Sequence, residues 1–403
     1  MRVLIAHSRY QNPSGEEVVV ASEAQLLRDH GHEVHLFEMD NASISGPVDQ
    51  VKSALGHIYS RSVRARFSQA IADFAPDAVH VHNIFPLLSP SVYDAARHAG
   101  VPVVQTVHNY RFVCPSSNLY RDGNVCTDCL SKPVPYPGIV HRCYRNSGAQ
   151  TAAIAVMIGV HKLRRTWQTR VDAFIVLSHA QRALMLEGGF PDDRLRVKPN
   201  FVGEPPPPSP TQPGARPFAL FVGRLCREKG IRTLVQAFVD HDIGLDLVVV
   251  GDGEDRKQLE NAVRGRNGAD TVTFTGSCDR SDVFALMHAA SVLVFPSEWM
   301  ETFGLSMIEA YACSTPVLAA RLGGLTEIVD DGVTGLFFNP GDSGDLADKL
   351  RWCSQNPERL VELGRSGRER YESRYSPEPN YKMLMDCYQA AITRNSEERH
   401  HRA

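Results

Sequence analysis

The chain has 403 residues, of which 43% are hydrophobic, and its formal net charge at pH 7 is −3. This length favours two domains with separate cores, and the near-neutral charge argues against a nucleic acid as the main partner. The chain opens with a strand pattern rather than a leader segment, and no apolar run approaches the roughly 20 residues that span a bilayer, so we expect a cytosolic protein.

The first half of the chain alternates short apolar runs with helical patterns. The runs are rich in valine, leucine, isoleucine and phenylalanine, which favour strands, and the segments between them are long enough for helices. This alternation is typical of β-α-β units and predicts an α/β domain with a parallel sheet. The predicted strands are residues 3–6, 34–37, 78–81, 103–107 and 173–177.

Polar residues follow two of these strands, at the ends where open α/β sheets bind ligands. After the first strand, a loop at residues 10–16 contains Gly15, and a glycine there lets the backbone pass close to a ligand. His108 follows the fourth strand, and we favour it as a site residue. A competing polar cluster lies one strand away and contains His80, His82 and Asn83.

Nine cysteines, an odd number that is unevenly spread, argue against a disulfide framework and for reduced thiols. Four of them lie within a turn-rich segment at residues 110–147, namely Cys114, Cys126, Cys129 and Cys143. A Cys-x-x-Cys pair with two flanking cysteines suits the tetrahedral ligand set of a structural zinc ion, with His141 as a substitute ligand. Thiols without a metal, some of them sensitive to oxidation, are an equally weighted alternative.

Residues 149–160 are mostly small and apolar, and basic residues and Trp167 follow them. The stretch predicts a helix that is too short to span a membrane. Two interpretations stay open. The helix lies at a bilayer surface, which would place the protein peripherally at the inner membrane face, or it packs on the first sheet with its basic end in solvent.

A proline-rich segment at residues 201–216 separates this series from a second one. Consecutive prolines neither join a sheet nor continue a helix, so we interpret the segment as a semi-rigid linker. It divides an N-terminal domain, residues 1–200, from a C-terminal domain, residues 217–375, and a helix with a charged tail follows at 376–403. The predicted strands of the second domain are residues 218–222, 245–250, 271–274, 292–295 and 316–319.

Two glutamates, Glu301 and Glu309, follow the predicted strand at 292–295 and are eight positions apart. At about 100° per residue, this offset turns roughly 80° around a helix and rises about 12 Å. The spacing predicts one carboxylate at the mouth of a helix and the other two turns inside it. Glu301 therefore falls just beyond the carboxyl end of a strand, which is a ligand-binding position in open α/β sheets.

Two cations follow the predicted strand at 218–222. Arg224 and Lys229 lie in the loop after it, and Gly230 opens the next helix, whose N-terminal amides add positive potential. A pair of cations on a loop is more often simply solvated, so these residues alone leave both a phosphate site and a solvated pair open.

The order and spacing of these motifs resemble the retaining glycosyltransferases of family 4, and the likeness extends over nearly the whole chain. Each motif is weak by itself, whereas their combined order is specific. The resemblance includes a subfamily with a cysteine-rich insert in its N-terminal domain. It implies an α/β fold of the GT-B type, with two facing Rossmann-like domains, parallel sheets and an interdomain cleft. The motifs lie at residues 222–230, 250–254, 295–309 and 323–336.

The resemblance implies an enzyme that moves a sugar from a nucleotide-diphosphate sugar, and it assigns roles to matched positions. Arg224 and Lys229 would bind the diphosphate and Glu309 the ribose hydroxyls. The donor sugar would be held by His108, by Glu301 and by the amides near Phe303, Gly304 and Leu305. Further donor contacts are implied at Gly15, where the family often has two adjacent glycines and this chain has Ser14 and Gly15, and at Asn200, Gly223 and Gly253.

No nucleophile with an attached general base stands out in the sequence. This suits a front-face retaining substitution, in which the leaving diphosphate helps to deprotonate the acceptor and the protein mainly positions and neutralises charge. The Asp-x-Asp motif at Asp240 and Asp242 lies away from the predicted strand ends, so we expect catalysis without a divalent metal or another cofactor.

The resemblance implies that the acceptor is a glycan or a lipid-linked hydroxyl, as in polysaccharide biosynthesis. Two alternatives stay open. One is a sugar-nucleotide epimerase or a phosphorylase on the same fold. The other is a non-catalytic protein that binds a sugar nucleotide or a glycan, which would show ligand binding without turnover.

Overall fold

The computed structural model describes residues 1–9, 15–40, 56, 58–208, 216–265 and 269–400. Residues 10–14 of the predicted glycine-containing loop and residues 209–215 of the predicted linker lie outside the described residues. The chain divides into two compact units. Unit 1 comprises Met1–Leu119, Cys126–Asn200 and Asn380–Ala403, and unit 2 comprises Tyr120–Val125 and Phe201–Pro379.

Each unit contains a six-stranded parallel sheet, and all ten predicted strands are present. β-Branched and aromatic side chains dominate these segments because they pack well on a pleated, buried surface. The strands are β1 Arg2–Arg9, β2 Glu33–Asp40, β3 Ala78–Asn83, β4 Val103–Thr106, β5 Tyr120–Arg121, β6 Asn124–Val125, β7 Ala173–Val176, β8 Leu195–Val197, β9 Phe218–Val222, β10 Asp246–Val250, β11 Val272–Gly276, β12 Val292–Phe295, β13 Val317–Ala320 and β14 Gly335–Phe338. The sequence pattern did not predict β5, β6, β8 and β14, which are only two to four residues long.

Helices connect the strands, and serine caps begin several of them. Ser147 Oγ and Ser178 Oγ each accept a hydrogen bond from the amide three residues on, which satisfies one of the donors left over at a helix start. The helices are α1 Gly15–Asp29, α2 Arg61–Phe74, α3 Ser91–Ala99, α4 Tyr136–Val140, α5 Gly148–Leu163, α6 Thr166–Arg170, α7 His179–Glu187, α8 Ile231–Asp240, α9 Arg256–Val263, α10 Arg280–Ala289, α11 Leu305–Ala312, α12 Leu325–Ile328, α13 Ser343–Gln355, α14 Pro357–Arg370 and α15 Pro377–His400. Within the described part of the chain, no helix is both long and apolar enough to cross a membrane.

The sheet of unit 1 has the strand order β2-β1-β3-β4-β7-β8. Strands β3, β4 and β7 are buried along their whole length, as expected for a parallel sheet that is covered on both faces. The chain runs outward from β1 to β2 and returns to β3 on the other side of β1. The strand order therefore reverses between β1 and β3, and ligands bind at such reversals in open sheets.

The sheet of unit 2 has the order β11-β10-β9-β12-β13-β14, with the reversal between β9 and β12. Successive side chains of a strand point to opposite faces. Accordingly, Ala219 and Phe221 of β9 pack into one hydrophobic cluster and Leu220 packs into another. The two clusters cover both faces of the sheet, so the carboxyl ends of β9 and β12 form an edge at which polar loops meet.

Gly230 joins these two loops. Its φ is +67°, and a Cβ built there would lie 1.8 Å from the carbonyl oxygen of Pro296. Only glycine tolerates this backbone angle together with this approach. The loop that precedes α8 is thereby held directly against the loop that follows β12, and Lys229 is placed beside that loop.

Helix α5 corresponds to the predicted apolar helix and packs within unit 1. Ile154, Ala155 and Ile158 on one side are buried, which agrees with the interpretation of a helix packed against the core. The opposite side exposes apolar area, since Val156 is 45% and Leu163 is 73% exposed. The helix therefore carries apolar side chains both on its packed side and on its exposed side.

Candidate functional site

An ion pair joins the two loops at the strand-order reversal of unit 2. Lys229 Nζ donates to Glu301 Oε1 at 2.6 Å, and Ser297 Oγ donates to the same oxygen at 2.7 Å. The Glu301 side chain is 3% exposed and the Lys229 side chain 24%. The ammonium also lies 5.4 Å from the ring centre of Trp299 and 5.7 Å from that of Phe295. These contacts fix a partly exposed cation at the carboxyl ends of β9 and β12.

Arg224 supplies a second and more exposed cation. Its Nη2 donates to Glu228 Oε1 at 3.0 Å and its Nε contacts Cys226 Sγ at 3.3 Å, while the Arg224 side chain remains 67% exposed. A pair as exposed as this contributes little to stability. The guanidinium can therefore leave Glu228 for an anionic ligand at a small free-energy cost.

Glycines bring the loops after β9 and β10 into backbone contact. Gly223 N donates to Val250 O at 3.0 Å and Leu225 N to Asp252 O at 2.9 Å. A Cβ on Gly253 would lie 2.3 Å from the carbonyl oxygen of Leu225, so a side chain there would push the loops apart. Gly223 and Gly253, both predicted as donor contacts, thus shape the backbone beside Arg224.

Glu309 lies in helix α11, and its carboxylate forms an ion pair with Arg280. Arg280 Nη2 donates to Glu309 Oε1 at 2.9 Å, and the Glu309 side chain is 12% exposed. Burial raises the pKa of Glu309 to about 7, although Arg280 opposes the rise. Near neutral pH this carboxyl group is therefore divided between its protonated and ionised forms.

The predicted placement of the two glutamates on one helix is wrong. Helix α11 begins at Leu305, so Glu301 precedes it and Glu309 is its fifth residue rather than two turns beyond a first carboxylate. The cause is Gly304, whose non-helical backbone (φ −99°, ψ 81°) delays the helix start. Phe303, before the helix, packs edge-on against the Tyr375 ring at 6.0 Å.

In unit 1, His108 and the polar cluster at His80 and His82, which the sequence presented as alternatives, lie together. His82 Nδ1 lies 2.9 Å from His108 Nε2, and the two rings stack with their centres 5.2 Å apart. His80 contacts Tyr388 Oη at 2.9 Å through Nδ1 and Thr106 Oγ1 at 2.8 Å through Nε2. The three histidines form one cluster at the carboxyl ends of β3 and β4.

A buried ion pair lies behind this histidine cluster. Lys198 Nζ donates to Glu23 Oε1 at 2.6 Å, and both side chains are fully buried. Burial raises the pKa of Glu23, but Lys198 and then His80 outweigh it and leave the pKa below its ordinary value. Glu23 therefore carries a full negative charge at neutral pH, with Lys198 as its counterion.

The three histidines are neutral at neutral pH. Burial lowers the pKa of His80 to about 4 and that of His108 to about 3, and it holds the pKa of His82 well below the ordinary value. A neutral imidazole donates through one nitrogen and accepts through the other. His108, which is half-buried at the edge of the cluster, can therefore contact a ligand as a hydrogen-bonding group but not as a cation.

Glu23, His80 and His82 are also the group of described residues whose ligand atoms all lie within 4.8 Å of one another, the spacing that a metal ion needs. Lys198 already bonds the Glu23 carboxylate, and Tyr388 bonds His80 Nδ1. A metal ion there would add its charge next to a buried ammonium. We therefore assign this cluster to hydrogen bonding rather than to metal binding.

The structure does not support the predicted zinc site. Among the cysteines that the structure describes, no three of Cys114, Cys126, Cys129 and Cys143 bring their sulfurs within 4.8 Å of one another. Cys114 Sγ instead contacts Ser116 Oγ at 3.1 Å, and Cys129 Sγ donates to Pro135 O at 3.9 Å. Burial raises the pKa of Cys129 to about 12, and the neighbouring thiols of Cys114, Cys143 and Cys126 also raise it.

The remaining predicted positions in unit 1 are Gly15 and Asn200. Gly15 is the first residue of α1. Asn200 is 5% exposed, and its Oδ1 has no hydrogen-bond partner among the described residues. Its neighbour Pro199 is held by Asn380, whose Nδ2 donates to the Pro199 carbonyl at 2.7 Å. An anchored backbone thus presents a buried amide oxygen that lacks a partner.

Sequence reasoning missed five side chains that belong to these two clusters. Ser297 and Arg280 directly bond predicted site residues, and a search for polar residues after strands 292–295 and 271–274 could have found them. No spacing pattern links Glu23 to Lys198, which are 175 positions apart in the chain. No motif in the sequence marks Trp299, which lies in a loop.

Two family models match the chain. Residues 13–203 match the model described as Glycosyltransferase Family 4, and residues 207–370 match the model described as Glycosyl transferases group 1.

Two relatives and one solved structure illustrate the likeness. An uncharacterized glycosyltransferase of Methanocaldococcus jannaschii is 38% identical over 152 residues, which cover 38% of this chain and 42% of that protein, so the match spans less than half of the relative. The 2-deoxystreptamine glucosyltransferase of Streptomyces kanamyceticus is 30% identical over 300 residues, which cover 73% of this chain and 72% of that protein. The crystal structure of Anabaena HepE in complex with UDP-glucose superimposes with a TM-score of 0.67 at 19% identity and covers 96% of this chain and 99% of that one, which supports the predicted GT-B fold.

Proposed function

The chain belongs to the group 1 glycosyltransferases, and on that basis we propose that it transfers a sugar from a nucleotide-diphosphate sugar to a hydroxyl group, with retention of the anomeric configuration. The acceptor in this proposal is a glycan or a lipid-linked hydroxyl. Since a protein of similar fold was crystallised with UDP-glucose, uridine diphosphate sugars are the donors to test first.

The observation that carries the proposal is the Lys229–Glu301 pair at the strand-order reversal of unit 2. When the glycosidic bond breaks, negative charge develops on the leaving diphosphate, and fixed positive groups stabilise it most when they need no rearrangement. Glu301 and Ser297 hold Lys229 in place, and the two aromatic rings restrict the ammonium further. Arg224, close by in the same loop, supplies a mobile second cation.

Glu309 suits the ribose of the donor. A carboxylate can accept two hydrogen bonds from neighbouring hydroxyls, and Glu309 has only a partly exposed arginine to release. The first amides of α11, at Leu305 and beyond, point toward the same strand end and suit the donor sugar. Gly223 and Gly253 keep side chains out of the space beside the phosphates, and we assign Phe303 and Gly304 to shaping the sugar pocket.

In unit 1 we assign donor contacts to His108, Asn200 and Gly15. His108 meets a sugar hydroxyl as a neutral hydrogen-bonding group, and the unsatisfied oxygen of Asn200 accepts from a ligand. Gly15, at the start of α1, brings backbone amides toward the donor. The assignment rests on position and chemistry in each unit separately.

The proposed reaction is a front-face substitution. The bond between the anomeric carbon and the diphosphate oxygen breaks, the acceptor oxygen bonds to the same face of that carbon, and the acceptor proton passes to the leaving diphosphate. Arg224 and Lys229 offset the charge of the diphosphate throughout. The chain positions both substrates and contributes electrostatic stabilisation rather than a covalent nucleophile.

A thermal-shift screen against nucleotide-diphosphate sugars tests the proposal. A donor at 100 times its Kd stabilises the native state by about 2.7 kcal/mol, which raises the Tm of a unit of this size by roughly 5–10 °C. We expect one donor to give such a shift with or without EDTA, and the matching nucleoside monophosphate to give little. Release of nucleoside diphosphate when acceptors are added then separates a transferase from a binding protein, and no shift with any donor contradicts the proposal.

The exposed apolar side of α4 and α5 supports a lipid-linked acceptor. Tyr136 is 56%, Val140 70% and Leu163 73% exposed, although each is a large apolar side chain. Exposed arginines lie in the same segments, at positions 142, 145, 164 and 165. Apolar anchors beside cations are the pattern by which surface helices bind anionic bilayers, so we propose peripheral membrane contact through this side.

Liposome flotation measures that contact. We expect binding to vesicles that contain anionic phospholipid at low salt, weakened by neutral lipid or by high salt. Leu163→Ser should reduce the bound fraction several-fold because it removes a membrane-inserting side chain. Val361→Ser is the matched control, since Val361 is equally exposed at 73% but lies in unit 2. Equal binding by the two variants would contradict membrane contact through α5.

A further inference from the structure

The buried carboxylate of Glu23 faces His82 as well as Lys198. Glu23 Oε1 accepts from Lys198 Nζ at 2.6 Å, whereas Glu23 Oε2 lies 3.5 Å from His82 Nε2. Glu23 is fully buried and His82 is 3% exposed. Neither Glu23 Oε2 nor His82 Nε2 has a hydrogen-bond partner among the described residues, so each is the nearest polar group that could satisfy the other.

The proton positions follow from this contact. If His82 carried its proton on Nδ1, the lone pair of Nε2 would face a negatively charged oxygen in a buried site, which is strongly unfavourable. The proton therefore lies on Nε2 and points toward Glu23. His82 Nδ1 is then an acceptor, and the atom 2.9 Å from it, His108 Nε2, must be the donor.

We propose that Glu23, acting through His82, holds His108 in the tautomer that carries its proton on Nε2. His108 Nδ1 is then fixed as a hydrogen-bond acceptor. Glu23 and His82 are positioning residues in this scheme because they act through His108, and Lys198 keeps Glu23 ionised and oriented. The three groups come from three elements, with Glu23 in α1, His82 in β3 and His108 in the segment after β4.

The tautomer decides which ligand group His108 can meet. A pocket opens beside the cluster, and its walls include His82, His108, Asn109 and Phe112. A ligand group that meets His108 Nδ1 in this tautomer must donate a hydrogen, which a hydroxyl does and a carbonyl or phosphate oxygen does not. The scheme thus favours a sugar hydroxyl over a phosphate oxygen, and this ligand assignment rests on the proposed function, while the tautomer itself does not.

Ring nitrogen NMR of the wild-type protein tests the tautomer without any sugar nucleotide. The full chain is labelled with ¹⁵N-histidine, two-bond ¹H–¹⁵N correlations are recorded at pH 7, and the His108 signals are assigned from their loss in His108→Gln. We expect neutral His82 and His108 with the proton on Nε2 of each. A proton on Nδ1 of His108, or an imidazolium at this position, would overturn the proposal. Because no ligand is present, this outcome is independent of the donor screen.

Glu23→Gln gives a sharper expectation. Lys198 still requires an oxygen at the position of Oε1, so the new amide places its NH₂ group opposite His82 Nε2. His82 must then accept through Nε2 and donate through Nδ1, and His108 must accept through Nε2. We expect both rings to switch to the Nδ1–H tautomer. A folded Glu23→Gln protein with unchanged tautomers would show that Glu23 has no such role.

A matched control lies in the same cluster. Tyr388→Phe removes the hydroxyl that bonds His80 Nδ1 at 2.9 Å but leaves the contact between His82 and His108 in place. We expect the His108 tautomer to be unchanged in this variant. If Glu23→Gln fails to fold because Lys198 loses its counterion, the wild-type spectrum alone still decides the proposal.

Kinetics add a readout that a purely structural role would not give. Glu23→Gln should lower kcat/KM by about 3- to 10-fold, the value of one neutral hydrogen bond. In a His108→Ala background the same substitution should have no further effect, because Glu23 acts only through His108. An equal loss in both backgrounds would contradict the relay through His82.

Discussion

Lys229→Ala is expected to lower kcat/KM by about 10²- to 10³-fold, the loss typical of removing one preorganised group that stabilises developing negative charge. The lysine is held by Glu301 and lies at the strand-order reversal of unit 2. Its side chain is 24% exposed. Because the proposed role is to offset charge that develops on the leaving diphosphate, the loss should fall on the chemical step, with kcat reduced more than KM is raised.

Steady-state kinetics with the donor from the thermal-shift screen measure this effect. Lys257→Ala serves as the control, because Lys257 is an exposed lysine on helix α9 of the same unit. Circular dichroism should show the native fold in both variants, whereas Tm should fall only in Lys229→Ala, which leaves the buried Glu301 carboxylate without its counterion. If Lys229→Ala keeps near wild-type kinetics, the assignment of the diphosphate site at this position fails.

Glu309→Gln is expected to weaken donor binding by about 10- to 100-fold, because hydrogen bonds to a charged group contribute more than neutral ones. The variant keeps the shape of the side chain and one acceptor oxygen but loses the charge. It should also remove a pH dependence that the wild-type protein shows, since burial raises the pKa of Glu309 to about 7.

The direction of that dependence follows from the two forms of the carboxyl group. The ribose hydroxyls donate to the ionised form, so donor affinity should be constant above about pH 8 and fall by up to tenfold per unit below about pH 6. The stability of the ligand-free protein runs the other way. The unfolded chain loses this proton near its ordinary pKa while the folded chain keeps it until about pH 7, so the contribution of Glu309 to stability declines as pH rises through that window.

Isothermal titration with the donor at pH 6, 7 and 8 measures the affinity, and thermal unfolding without ligand at the same pH values measures the stability. Glu362→Gln is the matched control, because Glu362 is an exposed glutamate of the same unit that pairs with Arg359. We expect the control to retain the wild-type affinity and its pH dependence. A Glu309→Gln protein with wild-type affinity at every pH would exclude Glu309 as the ribose contact.

Much of the architecture was predictable because the strands are short apolar runs that stand out in the sequence. Residues 218–222 and 292–295 are short, apolar and flanked by polar turns, and they match β9 and β12 residue for residue. Loops that follow parallel strands meet at one edge of a sheet, so placing Lys229 and Glu301 after those two strands was enough to expect them close together. The direct contact between their charged atoms is the geometric outcome of that rule.

Other features depended on contacts that no local pattern encodes. The late start of α11 depends on the backbone of Gly304, which a count of helical turns ignores. The cysteine spacing allowed a zinc site, but no three of the four sulfurs, all of them in described residues, lie within 4.8 Å of one another. No sequence pattern marks Glu23, and only the fold brings it to Lys198, which is 175 positions away in the chain.

Unit 1 is discontinuous, and this has a consequence for the order in which the protein is made. Helix α15 supplies Tyr388 to His80, and Glu398 to both Arg97 and Arg194. These residues leave the ribosome after the whole of unit 2, so the unit whose synthesis starts first is the one that finishes folding last. Until α15 is made, the polar cluster around His80 lacks the helix that covers it. The core of unit 1 therefore stays incomplete while unit 2 is synthesised.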